Sequence, residues 1–505
     1  MVNNDKFASL LGSERPEATN IVIFGASGDL SKRKLLPALA HMHRWNLLGP
    51  HSRIIGAVRE KWTKSHWENY VHDQLLQYFP EAVMNPPSWR RIAEKLDLVV
   101  GDLADPEMYK QLAKTLHANE GKTNALYYLA IPPSWYEVVC ENLKDAGLAD
   151  ESDGFRRIVV EKPFGMDLAS AQDLNGKLQS YFDESQIYRI DHYLGKEAVQ
   201  NLMVFRFANS VLEPLWNRNY IDHVQISVSE SLGIGYRAGY YEDSGAFRDM
   251  IQSHLMQVMA LVAMEPPVSL GANDVRDEKM KVLRSIRKIN PEDVKNIAVR
   301  AQYTEGRMND ENLLAYREED GVADDSCTET FAAVKFYVDN WRWQGVPFVL
   351  RTGKRLPDRV SEICIRFKEP PQRLFNLGEE HVPNNELIFR LQPDEGMQLT
   401  MTAKQPGLST ELRGVKLDAS YGLVGSGMPE AYETLLHDVM LGEAGLFSRA
   451  DEVEESWAIV APIMDEWAKE TDIETYPAGT LDIPNMDSLL DECEGGWRSL
   501  KVYEE

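Results

Sequence analysis

The first half of the chain alternates short apolar runs with amphipathic stretches. The apolar runs are rich in β-branched residues and end at glycine, proline or charged residues, a pattern typical of buried strands. They cover residues 20–24, 53–58, 96–100, 125–130 and 157–160. In the stretches between them apolar residues recur at helical spacing, as in Leu35, Leu36, Leu39 and Met42. This alternation predicts a parallel, doubly wound sheet whose turns gather at the carboxyl edge of the strands, where ligands bind.

The pattern changes after residue 221 to long runs in which apolar and polar residues alternate. Such runs indicate antiparallel strands with one wet face, and they cover residues 222–230, 329–339, 360–368, 385–392 and 397–404. Helices are expected near residues 246–264, 276–289, 429–441 and 450–469. We therefore expect an α/β plus α+β protein. A Rossmann-like, doubly wound parallel sheet would occupy residues 1–190, and a large, mainly antiparallel sheet backed by helices would occupy residues 191–505.

Composition limits the class of protein. At 505 residues the chain is too long for one ordinary core, so two domains are expected. The 54 basic and 79 acidic residues give a net charge of -25, which argues against nucleic acid or an anionic membrane as a partner. The four cysteines lie far apart, so neither a metal site nor a disulfide framework is indicated. No apolar run is long enough to span a membrane or resembles a secretory leader, so a cytoplasmic protein is expected.

A glycine-containing turn follows the first strand. It reads GASGDL, and a helix follows it. In this arrangement a backbone can approach a pyrophosphate, and the helix amino terminus stabilises its charge. Ser27 and Leu30 stand where the second and third glycines of the usual motif would fall, and the Asp29 carboxylate would repel phosphate unless turned away. A dinucleotide site is the favoured interpretation, and a glycine turn without a ligand is the alternative.

Charged residues at two later strand ends bear on the coenzyme. Arg59 ends the second strand, where an arginine meets the 2′-phosphate of NADP. The neighbouring Glu60 leaves NAD possible as a secondary coenzyme. Lys162 follows the strand 157–160 and precedes Pro163, which places a cation near the nicotinamide end of the site. A solvated surface lysine is the alternative.

The segment YRIDHYLGKE brings an acid, an imidazole, a phenol and an ammonium close together in the chain. If a helix begins near His192, then His192 and Lys196 share a face. With the Tyr193 hydroxyl they offer donors for a dianionic phosphate. Asp191 would repel that phosphate and is expected to point at an imidazole from another part of the chain. A solvated helix start capped by Asp191 is the alternative.

His254 is the candidate for that imidazole. It lies on the apolar stripe of the stretch AFRDMIQSHLMQVMALVAM, where a histidine is more often a satisfied core residue. A carboxylate that orients an imidazole, which then takes a proton from a hydroxyl, is the arrangement of general-base catalysis. Further along, RTGKRLPDR carries Arg351, Lys354, Arg355 and Arg359. These cations are expected to attract an anion, and a run of surface charge at a strand end is the alternative.

Nine segments, taken in order, resemble the glucose-6-phosphate dehydrogenase family over residues 21–467. They are FGASGDLSKRKLLPAL, LAIPPSWYE, EKPFG, RIDHYLGKE, RFAN, RDMIQSH, RDEKMKVL, DNWRWQGVPFVLRTGKRLP and RLQPDEG. RIDHYLGKE with EKPFG upstream is highly specific. The resemblance implies NADP as coenzyme and oxidation of β-D-glucose 6-phosphate at C1 to 6-phosphoglucono-δ-lactone, the first step of the oxidative pentose phosphate pathway.

The resemblance also implies roles for individual residues. His254 would remove the proton of the C1 hydroxyl, and Asp191 would orient its imidazole and stabilise the imidazolium. Positions around the sugar or its phosphate would be Lys162, His192, Tyr193, Lys196, Glu230, Asp249, Lys354, Arg359 and Gln392. The coenzyme would be lined by Gly25, Ala26, Ser27, Gly28, Asp29, Leu30, Ser31, Lys32, Arg59, Asp102, Leu103 and Lys162. Members of the family associate through the large sheet, so a homodimer or a homotetramer is implied.

The chain departs from the family pattern at two places. Gln398 and Thr400 stand where members with a second, structural NADP site carry a tyrosine and a lysine. That site is therefore expected to be absent or altered. Ser253 precedes His254 where asparagine is usual, which changes the hydrogen bonding available to the base.

Two other functions remain open from the sequence. An oxidoreductase of the glucose-fructose oxidoreductase type also joins a Rossmann domain to an open sheet and carries an E-K-P segment, but it lacks the RIDHYLGKE cluster. Equal activity on free glucose and on its phosphate ester would favour it. A catalytically silent NADP-binding regulator would have no need to keep Asp191, His254 and Lys196 together.

Overall fold

The computed structural model describes residues 14–118, 123–372, 384–408, 411–420 and 430–501. The chain divides into two compact units. Unit 1 contains the described parts of residues 1–195, 268–276 and 429–453. Unit 2 contains the described parts of residues 196–267, 277–428 and 454–505.

Unit 1 is built on a parallel sheet. Its strands are β1 (Thr19–Phe24), β2 (Arg53–Val58), β3 (Leu96–Val100), β4 (Asn124–Leu129), β5 (Arg156–Val160) and β6 (Ile187–Ile190), with the short strand Phe447–Ser448 beside β6. The order among the described residues is Phe447–Ser448, β6, β5, β4, β1, β2, β3. Every neighbouring pair is parallel except the one formed by Phe447–Ser448. The doubly wound sheet predicted from the alternation of strands and helices is confirmed.

Helices pack on this sheet and contribute to its core. They are a π-helical turn at Ser31–Leu35, then Leu36–Arg44, Lys64–Tyr78, Pro86–Ala93, Pro106–Leu116, Tyr136–Asp145, Leu168–Tyr181 and Ala431–Leu441. One cluster of buried side chains unites Ile21 of β1, Leu39, Trp67 and Leu436. A segment from the far carboxyl-terminal part of the chain therefore completes the core of unit 1.

Unit 2 is built on a large mixed sheet. Its strands are β7 (Ile221–Ser229), β8 (Ala298–Thr304), β9 (Gly306–Met308), β10 (Glu311–Leu313), β11 (Phe331–Tyr337), β12 (Pro347–Gly353), β13 (Val360–Phe367), β14 (Glu386–Gln392), β15 (Gly396–Lys404), β16 (Leu412–Ser420) and a last strand Glu474–Pro477. Apart from the β9–β10 hairpin, the described strands form one sheet in the order β16, β15, β14, β13, β7, β12, β11, β8, Glu474–Pro477. The pairs are antiparallel except β7 with β12 and β8 with Glu474–Pro477. The predicted mainly antiparallel sheet is confirmed.

The helices of the second half are Glu197–Ala208, Ala238–Ala246, a π-helix at Phe247–Leu255, Met256–Ala263, Ala272–Arg284, Val294–Ile297 and Ala450–Trp467. The helix expected at 276–289 thus begins and ends earlier in the chain, and the one expected at 246–264 is divided into π-helical and α-helical parts. Residue 429 of the helix expected at 429–441 lies outside the described residues, and the helix runs from Ala431 to Leu441. None of the helices among the described residues has the length and apolar composition needed to cross a bilayer.

Six strands of unit 2 were not predicted from the sequence, namely β8, β9, β10, β12, β16 and the last strand Glu474–Pro477. β12 lies between β7 and β11 and is buried along its whole length, so its residues show no alternation of apolar and polar character. β16 is exposed along most of its length, so its sequence has no regular alternation of buried apolar and exposed polar residues. Hydrophobic periodicity therefore predicts strands with one wet face better than strands that are buried on both faces or exposed along most of their length.

Candidate functional site

The residues predicted to bind the coenzyme lie at one edge of the sheet of unit 1. The turn from Gly25 to Lys32 follows β1, Arg59 follows β2, Asp102 and Leu103 follow β3, and Lys162 follows β5. Asp191, His192 and Tyr193 follow β6 in the same way. Because these strands are parallel, their carboxyl ends meet at the same edge, which is where doubly wound sheets bind ligands.

The glycine turn needs glycine at position 25. Gly25 has φ of +80°, and a Cβ atom there would lie 2.4 Å from the carbonyl oxygen of Ala130. The amide of Gly28 donates to the carbonyl of Gly25 at 2.9 Å, which closes the turn before the helical segment that begins at Asp29. The tight turn, the strand before it and the helical segment after it fit the pyrophosphate of a dinucleotide.

The carboxylate of Asp29 is paired with cations of its own helix. It accepts a hydrogen bond from Arg33 Nε at 2.8 Å, and Lys32 Nζ lies 3.0 Å from it. Loss of solvent would raise the pKa of Asp29, but Lys32 and Arg33 hold it below the ordinary value. This pairing offsets the repulsion of phosphate expected from the sequence, and it gives two of the cations in the first turn a partner.

A contact between Ser27 and Glu60 was not foreseen. The Ser27 hydroxyl donates to the Glu60 carboxylate at 3.2 Å, and the Tyr70 hydroxyl donates to the Ser27 carbonyl at 3.0 Å. Arg59 and Glu60 are both exposed at the end of β2. The end of β2 therefore presents both the cation and the acid that the sequence offered as alternatives for the coenzyme ribose.

The segment after β6 folds differently from the sequence-based expectation. Residues 192–195 form a turn, and the helix begins only at Glu197 with Lys196 as its N-cap. His192 and Lys196 therefore do not share a helix face, and that prediction is wrong. A Cβ atom at Gly195 would lie 2.9 Å from the carbonyl of Ala431, so the close approach of the helix Ala431–Leu441 fixes the turn.

Asp191 is buried at the start of this turn, with 2% of its surface exposed. One of its carboxylate oxygens, Oδ1, accepts the backbone amide of Tyr193 at 2.9 Å, so the acid is oriented by its own loop. Tyr193 is also buried, and its ring centroid lies 5.1 Å from that of His192. The phenol and the imidazole predicted to bind phosphate are thus neighbours in unit 1.

His254 lies near the end of the π-helix of unit 2, with 2% of its surface exposed. Asp249 lies in the same π-helix and accepts a hydrogen bond from the Tyr240 hydroxyl at 3.0 Å. The hydroxyl of Ser253 donates to the carbonyl of Asp249 at 3.0 Å. Short π-helical segments are often found at functional sites. Asp191 belongs to unit 1 and His254 to unit 2, and their pairing stays a prediction.

Four predicted substrate residues lie at one edge of the sheet of unit 2. Glu230 follows β7 and Lys354 follows the parallel neighbour β12, so both stand at carboxyl strand ends. Arg359 precedes β13, which begins opposite the end of β7, and Gln392 ends β14 opposite the start of β13. The sheet therefore gathers residues that are far apart in the sequence.

Glu230 and Lys354 form an ion pair at this edge. The Glu230 carbonyl accepts the amide of Leu356 at 3.0 Å, and the Tyr476 hydroxyl donates to the Lys354 carbonyl at 2.6 Å. The backbone around both charges is therefore fixed by hydrogen bonds. The pair offers one acceptor and one cation to a polar ligand.

The basic run RTGKRLPDR does not act as one group of cations, which corrects the sequence-based expectation. Arg351 is buried within β12, where it donates to the Ser227 hydroxyl at 2.9 Å and to the carbonyl of Arg498 at 2.5 Å. Burial lowers the pKa of Arg351 to about 10. Arg355 lies 3.6 Å from the Glu319 carboxylate. The alternation of strand positions separates these residues, so only part of the run remains available to an anion.

Lys196 stands at the amino terminus of the helix Glu197–Ala208 in unit 2. Burial raises the pKa of Glu395, while the nearby charge of Lys196 and a hydrogen bond from the Ala198 amide oppose that rise. An ammonium at a helix amino terminus provides positive charge from both the side chain and the backbone, which suits a phosphate. Elsewhere in unit 2, Gln398 and Thr400 are buried, and Gln398 Nε2 donates to Thr400 Oγ1 at 3.3 Å.

Sequence reasoning missed Glu161, which lies between β5 and Lys162. Its carboxylate accepts hydrogen bonds from the hydroxyls of Tyr128 and Tyr432. The EKPFG segment drew attention to the lysine alone. Tyr432 comes from the carboxyl-terminal helix that joins unit 1, so no local signal could have pointed to the contact.

Two family models match the chain along most of its length. Residues 22–201 match the glucose-6-phosphate dehydrogenase NAD-binding domain, and residues 203–498 match the glucose-6-phosphate dehydrogenase C-terminal domain. The chain is 44% identical to a glucose-6-phosphate 1-dehydrogenase of Dickeya dadantii over 469 residues, which cover 92% of this chain and 94% of that protein. It is 40% identical to the Bacillus subtilis protein of the same name, over 95% of this chain and 97% of that one.

Solved structures are similar over the same extent. A glucose-6-phosphate dehydrogenase in complex with its substrate glucose 6-phosphate has a TM-score of 0.86 and 36% identity, and the match covers 97% of this chain and 100% of that one. A glucose-6-phosphate 1-dehydrogenase from Mycobacterium avium has a TM-score of 0.81 and 36% identity with the same coverage.

Proposed function

Because the chain belongs to the glucose-6-phosphate dehydrogenase family, we propose that it oxidises β-D-glucose 6-phosphate at C1 to 6-phosphoglucono-δ-lactone with NADP as coenzyme. Family membership gives it a nicotinamide dinucleotide coenzyme. The observation that carries the proposal is the placement of the predicted residues. The coenzyme residues gather at one edge of the unit 1 sheet, and four substrate residues gather at one edge of the unit 2 sheet.

The test is a set of initial rates of reduced-coenzyme formation. NADP and NAD are each supplied with glucose 6-phosphate or with glucose. Turnover that requires the phosphate ester supports the proposal. Equal rates with free glucose would favour an oxidoreductase of the glucose-fructose oxidoreductase type, and no turnover with any pair would favour a silent regulator.

In the proposed reaction His254 takes the proton of the C1 hydroxyl, and Asp191 orients the imidazole and stabilises the imidazolium that forms. His192, Tyr193 and Lys196 bind the phosphate. Around the sugar or its phosphate lie Lys162, Glu230, Asp249, Lys354, Arg359 and Gln392. The bound nicotinamide supplies the acceptor for the hydride that leaves C1. Anchoring the phosphate converts binding energy at one end of the sugar into orientation of C1 at the other.

Coenzyme binding and substrate binding are assigned to different halves of the sequence. Residues 1–190 would form the coenzyme-binding domain, joined by the later segments that pack in unit 1. Residues 191–505 would bind the substrate and form the oligomer. All four cysteines are free, which fits a cytoplasmic location.

Replacing Glu60 with glutamine should raise the preference for NADP over NAD, in terms of kcat/KM, by about tenfold. The Glu60 carboxylate stands beside Arg59 and accepts the Ser27 hydroxyl at 3.2 Å, so its charge opposes a 2′-phosphate that Arg59 attracts. The measurement is the ratio of kcat/KM for the two coenzymes. Asp73→Asn removes an exposed acid from the following helix and should leave the ratio unchanged. An unchanged ratio in Glu60→Gln would show that Glu60 does not sense the ribose.

A homodimer or homotetramer would use the outer part of the unit 2 sheet. On one face of β15 and β16 the paired residues are Met397 with Ala419, Leu399 with Leu417, and Met401 with Val415. Met401 is 46% exposed and Leu417 is 57% exposed. A contiguous apolar face on the outermost described strands is typical of an interface between subunits.

Leu417→Glu should therefore shift the protein toward a smaller species, because a carboxylate would be buried in the interface. The measurement is molar mass by light scattering across a range of protein concentrations. Leu314→Glu changes an equally exposed leucine, 56% exposed, elsewhere in unit 2 and should leave the mass unchanged. A monomeric wild-type protein would remove the basis for this assignment.

A further inference from the structure

Glu161 is held by three tyrosines from separate elements of unit 1. The hydroxyls of Tyr128 and Tyr432 donate to the same carboxylate oxygen, Oε1, the second at 3.2 Å. The Tyr136 hydroxyl donates to the Glu161 carbonyl and accepts the Glu161 amide, both at 3.2 Å. The side chain and the backbone of one residue are thus both fixed immediately before Lys162.

The charge of Glu161 depends on the groups around it. The titratable groups that face its carboxylate are Tyr128 on β4, Tyr136 at the start of its helix, Lys162, Asp191 after β6 and Tyr432 in the helix Ala431–Leu441. Burial raises the pKa of Glu161 to about 6, Asp191 adds to the rise, and the tyrosine hydrogen bonds and Lys162 oppose it. The carboxylate is therefore ionised at neutral pH and becomes neutral in mildly acidic solution.

Accepting two tyrosine hydroxyls with a carboxylate costs more free energy than accepting them with a neutral group. An amide oxygen would accept the same hydrogen bonds without the cost of placing a charge away from water. The charge also lies near a second acid, Asp191, which makes it less favourable. What the carboxylate adds to an amide is a negative charge on the residue directly before Lys162, at the end of β5.

We propose that Glu161 is a positioning residue whose negative charge, held by the hydroxyls of Tyr128 and Tyr432, orients the Lys162 ammonium at the coenzyme edge of unit 1. The inference rests on the proposed role of Lys162 in binding the coenzyme and the sugar. Glu161 would affect the coenzyme and the sugar only through its effect on Lys162. Tyr128 and Tyr432 keep the carboxylate at one place and Tyr136 holds the backbone, so that the ammonium would have a fixed counter-charge.

Glu161→Gln is the decisive variant, because its amide oxygen can still accept from Tyr128 and Tyr432 while the charge is lost. At pH 8 we expect kcat/KM for glucose 6-phosphate to fall by about tenfold. In the wild type, kcat/KM should fall in acid with two protonations, those of Glu161 and of the base. In the variant only the protonation of the base should remain. Near pH 5 the two proteins should therefore converge.

A second readout separates this inference from the proposed function. The dissociation constant of NADP is measured by fluorescence over the same pH range. In the wild type the dissociation constant should rise as the pH falls through about 6. In Glu161→Gln the plot of the dissociation constant against pH should show no inflection there. This comparison needs no turnover. Failure of the wild type to oxidise glucose 6-phosphate would count against the proposed function and leave the coenzyme titration to decide on Glu161.

Two further variants guard against a purely structural effect. Glu141→Gln removes an exposed acid from the helix Tyr136–Asp145 and should keep the wild-type pH profile. Tyr432→Phe removes one hydrogen bond and keeps the charge, so it should lower the thermal midpoint while retaining both protonations. If Glu161→Gln keeps wild-type kcat/KM and both inflections, the charge has no positioning role and the proposal is overturned.

Discussion

Replacing His254 with asparagine is expected to lower kcat by about 10³-fold or more and to leave KM for glucose 6-phosphate nearly unchanged. In the proposed reaction the imidazole takes the proton of the C1 hydroxyl, and the asparagine amide cannot accept it. The loss therefore falls on the chemical step and leaves ground-state binding alone. Steady-state kinetics with NADP, together with substrate affinity measured by equilibrium binding, provide the check.

The control is a second buried histidine in the same unit. His223 is fully buried at the start of β7 and pairs with Asp222 at 2.6 Å, and no role in the reaction is assigned to it. His223→Asn should lower the thermal midpoint and keep kcat within a few-fold of the wild type. A His254→Asn protein with near-normal kcat would refute the assignment of the base.

The sheet of unit 1 could be predicted because its signals are local. Each strand is a short apolar run, and each helix buries one stripe, so both periods are visible in the sequence. The position of Gly25 followed from the same reasoning, and its φ of +80° and its packing against Ala130 explain the residue. The placement of the coenzyme residues at one edge is a consequence of parallel topology.

The parts that could not be predicted depend on contacts made late in the chain. Leu436 joins the core around Trp67, although nothing in the helix Ala431–Leu441 indicates which sheet it covers. β12 was missed because burial on both faces removes alternation. A helix start near His192 was considered because a helix does follow, and the close packing of Gly195 on Ala431, which favours a turn there, is invisible in the sequence.

The candidate site shows the same division. Pairs within one turn of helix, such as Asp29 with Lys32 and Arg33, follow from three- and four-residue spacing. The pair of Glu230 with Lys354 needs the parallel pairing of β7 with β12. Sequence pattern indicates which residue types stand at strand ends, but only the order of the strands in the sheet decides which of those residues meet.

Lys196→Ala is expected to raise KM for glucose 6-phosphate by about 10²-fold while kcat stays within a few-fold of the wild type. The ammonium stands at the N-cap of the helix Glu197–Ala208, where the backbone amides add positive potential for a phosphate. The phosphate is remote from C1, so losing its contact weakens binding in the ground state and the transition state alike. Initial rates over a wide range of substrate concentration measure the effect.

Free glucose distinguishes a phosphate contact from a general defect. It carries no phosphate, so any kcat/KM it shows should be the same in the wild type and in Lys196→Ala. Lys281→Ala removes a lysine of unit 2 that is 69% exposed and paired with Glu278, and it should leave both substrates unaffected. An equal loss with glucose and with its phosphate ester in Lys196→Ala would mean that the lysine supports the fold or the sugar ring, because only a phosphate contact makes the two substrates respond differently.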